Sequence, residues 1–547
     1  MGLLDPAPPP YDALAWQREP LPSRGAAVCR AWAMQGYGTP PAAYVLYAVK
    51  IALYVGAWIG WCACTPGLGR VTELGDWWLH PIAFEKAILW SMLFEGLGLG
   101  CGSGPLTGRY APPLGGALYF ARPGTTKRAL WPRLPVLGGV RRSWLDVALY
   151  LGVVGALVVA LSSAAPPREL LVAIVIGVAV LGVADRTTFL AFRSEHYWVT
   201  LVVLVAARDP IAGAQAVQLA LWWWAGVSKL NHHFPSVVGV MISNAPLTRW
   251  RWLRAAMYRG YPDDLRPSRL ATAMGHMGTA LELSVPLVLG LTDGGTSLVV
   301  GLVLMVVLHT FITSSVPMGV PLEWNVMVVY GAFALFYAHP ERSLADVGPP
   351  WLAAFLLVAL VGVPLLGNLW PRGVSFLLSM RYYAGNWAYS VWLFRGDSYR
   401  KLDRLTKSSP WIHDQLARFY DPRTAVGLVG KVVGFRLMHL HGRALATLVP
   451  RALDGADLAD HEWVDGELVA GLALGWNFGD GHLHDEGLIA ALQAQCGFEP
   501  GELRCILVEA QPFHRPALAW RIVDAATGER DRGEIPIAEL RAQQPWG

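Results

Sequence analysis

Trp222-Trp223-Trp224-Ala225-Gly226-Val227-Ser228-Lys229-Leu230-Asn231 closes an apolar run that begins near Ile211. An ammonium in hydrocarbon costs about 3 kcal/mol on insertion scales. A lysine in this position therefore snorkels to the headgroups, pairs with a partner, or works in a buried site. Gln218, Trp222, Ala225 and Lys229 fall at i, i+4, i+7 and i+11 and share one helical stripe. Such a stripe suits lipid poorly. Facing the interior of a bundle, it would line a cavity.

The rest of the chain has the composition of a membrane protein. Of its 547 residues 54% are hydrophobic and only 15% charged, against about 25% charged in soluble domains. Mean hydropathy is +0.37. The formal net charge of +4 is ordinary for a polytopic protein with basic loops and gives no argument for a nucleic-acid partner. The 25 Trp and 18 Tyr suit interfacial belts. Six cysteines, two of them (Cys62 and Cys64) in an expected span, make no disulfide framework. Cys496 and Cys505 would pair only in an oxidising compartment. The N-terminus shows no charged-then-apolar signal pattern. The Ala/Gly/Val/Leu/Arg-rich usage points to a high-GC bacterium.

About ten membrane spans are expected, near 43–64, 81–104, 144–164, 169–184, 187–207, 211–231, 270–292, 296–315, 322–338 and 351–370. The fifth has a short apolar part and is expected to be broken or tilted. The first carries Lys50, the second Glu85, Lys86 and Glu95, and the fifth Arg193, Glu195 and His196. Basic residues concentrate in 105–143 and 232–269, which places these loops, the N-terminus and the C-terminal domain in the cytoplasm. Residues 1–42 are expected to lie at the membrane surface, 43–370 to form the transmembrane domain, and 371–449 to be a juxtamembrane amphipathic stretch. Residues 450–547 are expected to form a small α+β soluble domain, with strands at 466–476, 502–511, 517–524 and 533–537 and a helix at 486–496 capped by Asp485. The fold class is thus an all-α polytopic membrane protein with a small C-terminal α+β domain.

Five ionisable side chains sit in consecutive spans: His196, Lys229, His276, Glu282 and His309. Each alone is as readily an interhelical hydrogen bond. Together they suit proton chemistry. A desolvated lysine can act as a general base, and histidine can shuttle protons. His276 and Glu282 are about 120° apart on a helix, so they share no face but can border one cavity. Thr313 follows His309 by one turn, where bonding to its own helix carbonyl competes with a role in the pocket. CxxC, HExxH, GxSxG and Walker patterns are absent, and no metal site is expected. Asp480, His482, His484 and Asp485 read as a turn ahead of a helix as readily as ligands.

These residues resemble a known family. Ala225-Gly226-Val227-Ser228-Lys229-Leu230 is similar to the Ala-Gly-Val-Lys-Lys-Leu stretch of vitamin K-dependent gamma-carboxylases, and His196-Tyr197-Trp198 to their His-Tyr-Trp. His276-Met277-Gly278 through Leu281-Glu282-Leu283-Ser284 resembles their His-x-Gly and Leu-Asp-Leu-Ser, and His309 falls at their Phe-His. The four stretches keep the same order over about residues 185–335. This segment is shared with the broader HTTM (horizontally transferred transmembrane) group, and the whole-chain pattern resembles an actinobacterial membrane family of that kind. Ser228 and Glu282 depart from the pattern, and the tail is much smaller than the carboxylases' lumenal portion.

The resemblance implies a membrane enzyme in which Lys229 deprotonates a reduced quinone, with menaquinol as the bacterial counterpart and O2 and CO2 as co-reactants. His196, His276, Glu282 and His309 would surround it. Gln218, Trp222, Tyr197, Trp198 and Thr313 would form the substrate and quinone pocket. The expected partners are membrane lipid, a lipid or small-molecule substrate, and a protein for the C-terminal domain. The rival is a transporter or lipid-binding protein that uses the same polar groups. A closed, apolar-walled cavity favours the enzyme, and a path to both aqueous faces favours the transporter.

Overall fold

Apolar helices with sharp starts make up most of the described part of 41–100, 144–246 and 269–369 in the computed structural model, which describes residues 2–100, 108–246, 248, 250–314, 321–374 and 384–547. Proline opens Pro41–Ala63, Pro81–Gly96 and Pro350–Leu357, where its missing N–H costs nothing. Ser143 and Asp146 form a capping box on Trp144–Ser162. Each of the ten expected stretches carries helix. Among the described residues five helices are long and apolar enough to cross a membrane: Pro41–Ala63, Trp144–Ser162, Arg269–Leu291, Gly295–Thr313 and Pro350–Leu369. Val299, Val300, Val303, Val306, Val307 and Phe311 leave an apolar outer face on the fourth of these.

The other stretches are shorter or more buried. Pro81–Gly96 has 16 residues, and most of them are buried. Its Lys86 donates to the carbonyls of Leu161 (2.6 Å) and Ser163 (2.9 Å), the negative end of Trp144–Ser162. The 187–207 stretch is broken, as its short apolar part suggests. Arg186–Ala191 stops, and Tyr197–Ala206 starts after a turn in which Arg193 takes φ 52°. The break turns Arg193, Glu195 and His196 into the bundle, where all three are buried.

The soluble part crosses the boundaries drawn from composition. A five-stranded antiparallel sheet runs in the order His461–Asp465, Tyr389–Arg395, Leu503–Val508, Ala517–Asp524, Gly528–Pro536. Its second strand comes from the stretch expected to be juxtamembrane and amphipathic. Tyr389–Phe394 is buried throughout, so no amphipathic face exists there. Pro422–Met438 is also mostly buried and packs on Leu21–Gln35. Residues 1–42 therefore do not simply lie at the surface. Trp32 is fully buried against Phe435, with ring centroids 5.4 Å apart. Gly466–Leu474 is a helix rather than the expected strand. Asp465 caps its start by accepting from Glu467 N at 2.9 Å, and Gly475 ends it at φ 83°. The strands near 502–511 and 517–524 and the Asp485-capped helix Glu486–Cys496 lie where expected. Cys496 and Cys505 are separate buried thiols.

The basic 105–143 loop does more than mark a side of the membrane. Arg109 is buried and donates to Gly471 O at 2.6 Å, Lys127 pairs with Asp146 at 2.7 Å, and Arg128 pairs with Asp485 at 2.5 Å. Arg142 pairs with Asp185 at 2.6 Å, with both side chains 2% exposed, and Asp185 also accepts from Arg128 N, Thr187 N and Thr188 Oγ1. Removing one partner of such a pair strands a buried charge, which costs about 3–5 kcal/mol. Asp185→Ala is accordingly expected to lower the thermal unfolding temperature of the detergent-solubilised protein sharply. Asp263→Ala, whose pair with Arg30 is exposed, should change it little.

Candidate functional site

Gly226 allows the site to form. A Cβ there would meet Leu283 Cδ2 at 2.7 Å and Leu283 N at 3.3 Å, so only glycine lets Ile211–Ser228 approach Arg269–Leu291 this closely. The first helix ends at Ser228, and Lys229 is its C-cap. Asn231 Oδ1 then accepts from His233 N (2.7 Å) and Phe234 N (3.1 Å) and starts Phe234–Asn244. This tight turn holds the Lys229 ammonium against the Glu282 carboxylate, in an ion pair whose side chains are 8% and 5% exposed. Nζ also lies 5.4 Å from the centre of the Phe234 ring.

The pair faces a cavity of about 160 Å³. Its walls are chiefly apolar, including Leu221, Val237, Val238, Met241, Ile312 and Val328. The polar groups on them are Lys229, Glu282, Trp222, His309, Trp324 and Asn325. Phe311, 48% exposed on the outer face of Gly295–Thr313, also lines the cavity.

His309 is fixed in one neutral form. An indole can only donate, so Trp222 Nε1, 2.9 Å from His309 Nε2, makes that nitrogen an acceptor. Nδ1 then carries the proton and donates to Asn325 Oδ1 at 2.7 Å, while Asn325 Nδ2 donates to Pro321 O at 2.9 Å. Both ring nitrogens are used. His309 thus acts here as a rigid polar wall beside the ion pair.

The other expected residues are distributed around this centre. His196 is buried behind the cavity wall and accepts at Nδ1 from Trp324 Nε1 at 2.9 Å. Tyr197 is fully buried beside it. Trp198 donates to Val175 O at 2.8 Å and packs on Phe189 and Phe355, a bracing role. Gln218 donates to Val328 O at 3.2 Å and so ties down the helix that carries Asn325. Thr313 donates to His309 O at 2.7 Å and lines a separate groove with Thr310 and Asn325. His276 is exposed on the flank of its helix and does not border the cavity. The angle separating it from Glu282 turns it away. The sequence reading missed Asn325, Trp324 and Phe234. An amide inside an apolar run was the available signal for Asn325.

In the tail, the four side chains considered as ligands have separate partners. Asp480 accepts from His482 N at 3.0 Å, and His482 Nε2 lies 2.9 Å from Glu509 Oε1. His484 Nδ1 lies 2.6 Å from Ser390 Oγ, and Asp485 holds Arg128. Among the described residues no group of three or more His, Cys, Asp or Glu is placed to hold a metal.

The chain belongs to the family described as transmembrane protein of unknown function (DUF3556), whose model matches residues 1–547. No curated protein and no solved structure matches it.

Burial alone would depress His482, but Glu509 and Asp480 outweigh it and raise its pKa to about 10. An unfolded histidine titrates near 6.5. The stabilisation is therefore complete below about pH 6.5 and is lost as pH rises through about 10. Thermal melts across that window should fall more steeply for the wild type than for His482→Gln.

Proposed function

We propose that this member of a transmembrane family is a membrane enzyme that takes a proton from a lipid-soluble substrate, with Lys229 as the base. The observation that carries the reading is an ion pair, Lys229 with Glu282, aimed into an apolar cavity inside the helix bundle. An ammonium is not a base. Transfer of one proton from Nζ to the Glu282 carboxylate leaves a neutral amine beside a carboxylic acid. A water-poor site narrows the gap between that neutral pair and the ion pair. The amine can then accept a proton from an acidic hydroxyl or carbon acid entering from the lipid side. Trp222, His309 and Asn325 hold the opposite wall in one hydrogen-bonded arrangement, which limits reorganisation as charge moves.

The resemblance to vitamin K-dependent gamma-carboxylases suggests the substrate class. A reduced quinone such as menaquinol has an apolar ring body and ionisable hydroxyls; when bound it would supply the electrons that reduce O2, and CO2 would be the group added to a deprotonated second substrate. The Lys229–Glu282 edge would hold its hydroxyls and the apolar walls its ring. We further propose ten passes across the cell membrane, with the N-terminus and the tail in the cytoplasm. The exposed Arg251, Arg259 and Arg269 support that orientation. A transporter or lipid-binding protein built on the same groups is the second reading. The apolar wall of Val237, Val238, Met241 and Ile312 speaks for a lateral lipid entry instead.

Native mass spectrometry of the purified protein should detect co-purifying menaquinone or another isoprenoid quinone. Lys229→Ala and Glu282→Ala should each lose most of it while keeping the wild-type elution volume. Quinone retained equally by both variants, or absent from wild type even after supplementation, would sink the proposal.

A further inference from the structure

Behind Trp324 lies a second polar compartment, distinct from the cavity. Pro41–Ala63 contributes Lys50, Pro81–Gly96 contributes Glu95, the break after Ala191 contributes Arg193 and Glu195, and Leu322–Ala332 contributes Glu323. Ion pairs join Lys50 to Glu323 at 3.3 Å, and Arg193 to Glu95 at 3.8 Å and to Glu195 at 3.4 Å. Glu95 and Glu323 are 1% exposed, Arg193 0% and Glu195 4%. Tyr54, on the same helix as Lys50, and Tyr197, at the start of Tyr197–Ala206, both interact electrostatically with Glu95. His196 adjoins Arg193, and Asp480 of the tail, which shares His482 with Glu509, acts electrostatically on Glu195.

Among the described residues of the helix bundle, three carboxylates here meet two cations. Fully ionised, the group would hold one surplus negative charge in a water-poor bundle, and buried groups neutralise rather than bear that. A second observation points to mobile contents. Glu323 Oε1 and Glu195 Oε2 are buried without a hydrogen-bond partner among the described residues. Such atoms are normally satisfied by internal water. Trp324 separates this compartment from the cavity. It lines the cavity, donates to His196 at 2.9 Å, and has its ring 4.8 Å from the Arg193 guanidinium carbon.

We infer that the compartment stores one proton for the cavity, shared among Glu95, Glu195 and Glu323, with Trp324 as the partition across which it is exchanged. The storage stands on its own geometry. Its service to the cavity rests on the reading of Lys229 and Glu282 as proton-handling groups.

The test is infrared spectroscopy of the full-length protein in nanodiscs, in H2O and D2O at neutral pH, with no quinone added. A carboxylic-acid carbonyl band that shifts in D2O is expected. Replacing any one carboxylate balances the count of two against two, so Glu95→Gln and Glu323→Gln should each remove that band's intensity, whereas Glu282→Gln should keep it. Trp324→Ala should speed the deuterium shift by about tenfold or more, and Trp224→Ala, a buried indole that does not line the cavity, should not. Intensity unchanged in both Gln variants overturns the stored proton. Loss of intensity with an exchange rate unchanged in Trp324→Ala overturns the partition. Neither result depends on whether a quinone binds, so failure here is separable from failure of the proposed function.

Discussion

A charge inside hydrocarbon must find a partner, and the helix bundle is arranged around that requirement. Lys86 reaches the carbonyl end of a neighbouring helix, Lys50 meets Glu323, and Arg193 sits between Glu95 and Glu195. Each of these is enclosed by protein. Lys229 and Glu282 are paired too, but their pair forms part of the wall of an apolar void. A buried charge pair in a cavity wall is costly relative to packed apolar side chains. That cost is the physical reason to assign the pair to function rather than to packing.

The same rule links the membrane part to the soluble part. Arg109 and Arg128 reach from the 105–143 loop to Gly471 and Asp485 of the tail. His233, four residues after Lys229, has its Nε2 2.9 Å from Gln511 Oε1. The turn that positions Lys229 is thus fastened on one side to Glu282 and on the other to the soluble sheet. Its geometry depends on both parts folding together.

Much of the site was legible because helical spacing is rigid. The stripe Trp222, Ala225, Lys229 places three residues on one face, and all three line the cavity. The converse held for His276, whose angle from Glu282 carried it to the outside. What spacing could not show was which elements meet. Trp324 and Asn325 lie 95 and 96 residues after Lys229, and only the packing of Leu322–Ala332 brings them in. The domain boundary failed for a similar reason. Composition changes near 450, but antiparallel pairing recruits Tyr389–Arg395 from before the change. At 466–476 alternating apolar residues suggested a strand. The Asp465 cap and Gly475 stop were the stronger local signals.

The two polar centres differ in a way that bears on chemistry. At the cavity, one cation meets one carboxylate and the opposing wall is neutral, since Trp222 and Asn325 occupy both nitrogens of His309. A proton can move within that pair without changing its net charge. Behind Trp324, among the described residues, three carboxylates meet two cations, which is why the stored proton is proposed there. A balanced pair facing the cavity and an unbalanced group one side chain behind it differ in their demand for protons. On the proposed reading Lys229 takes one proton from the substrate and is then spent. The carboxylate cluster behind Trp324 already holds its proton at rest, so it is placed to return one to the cavity rather than to take one.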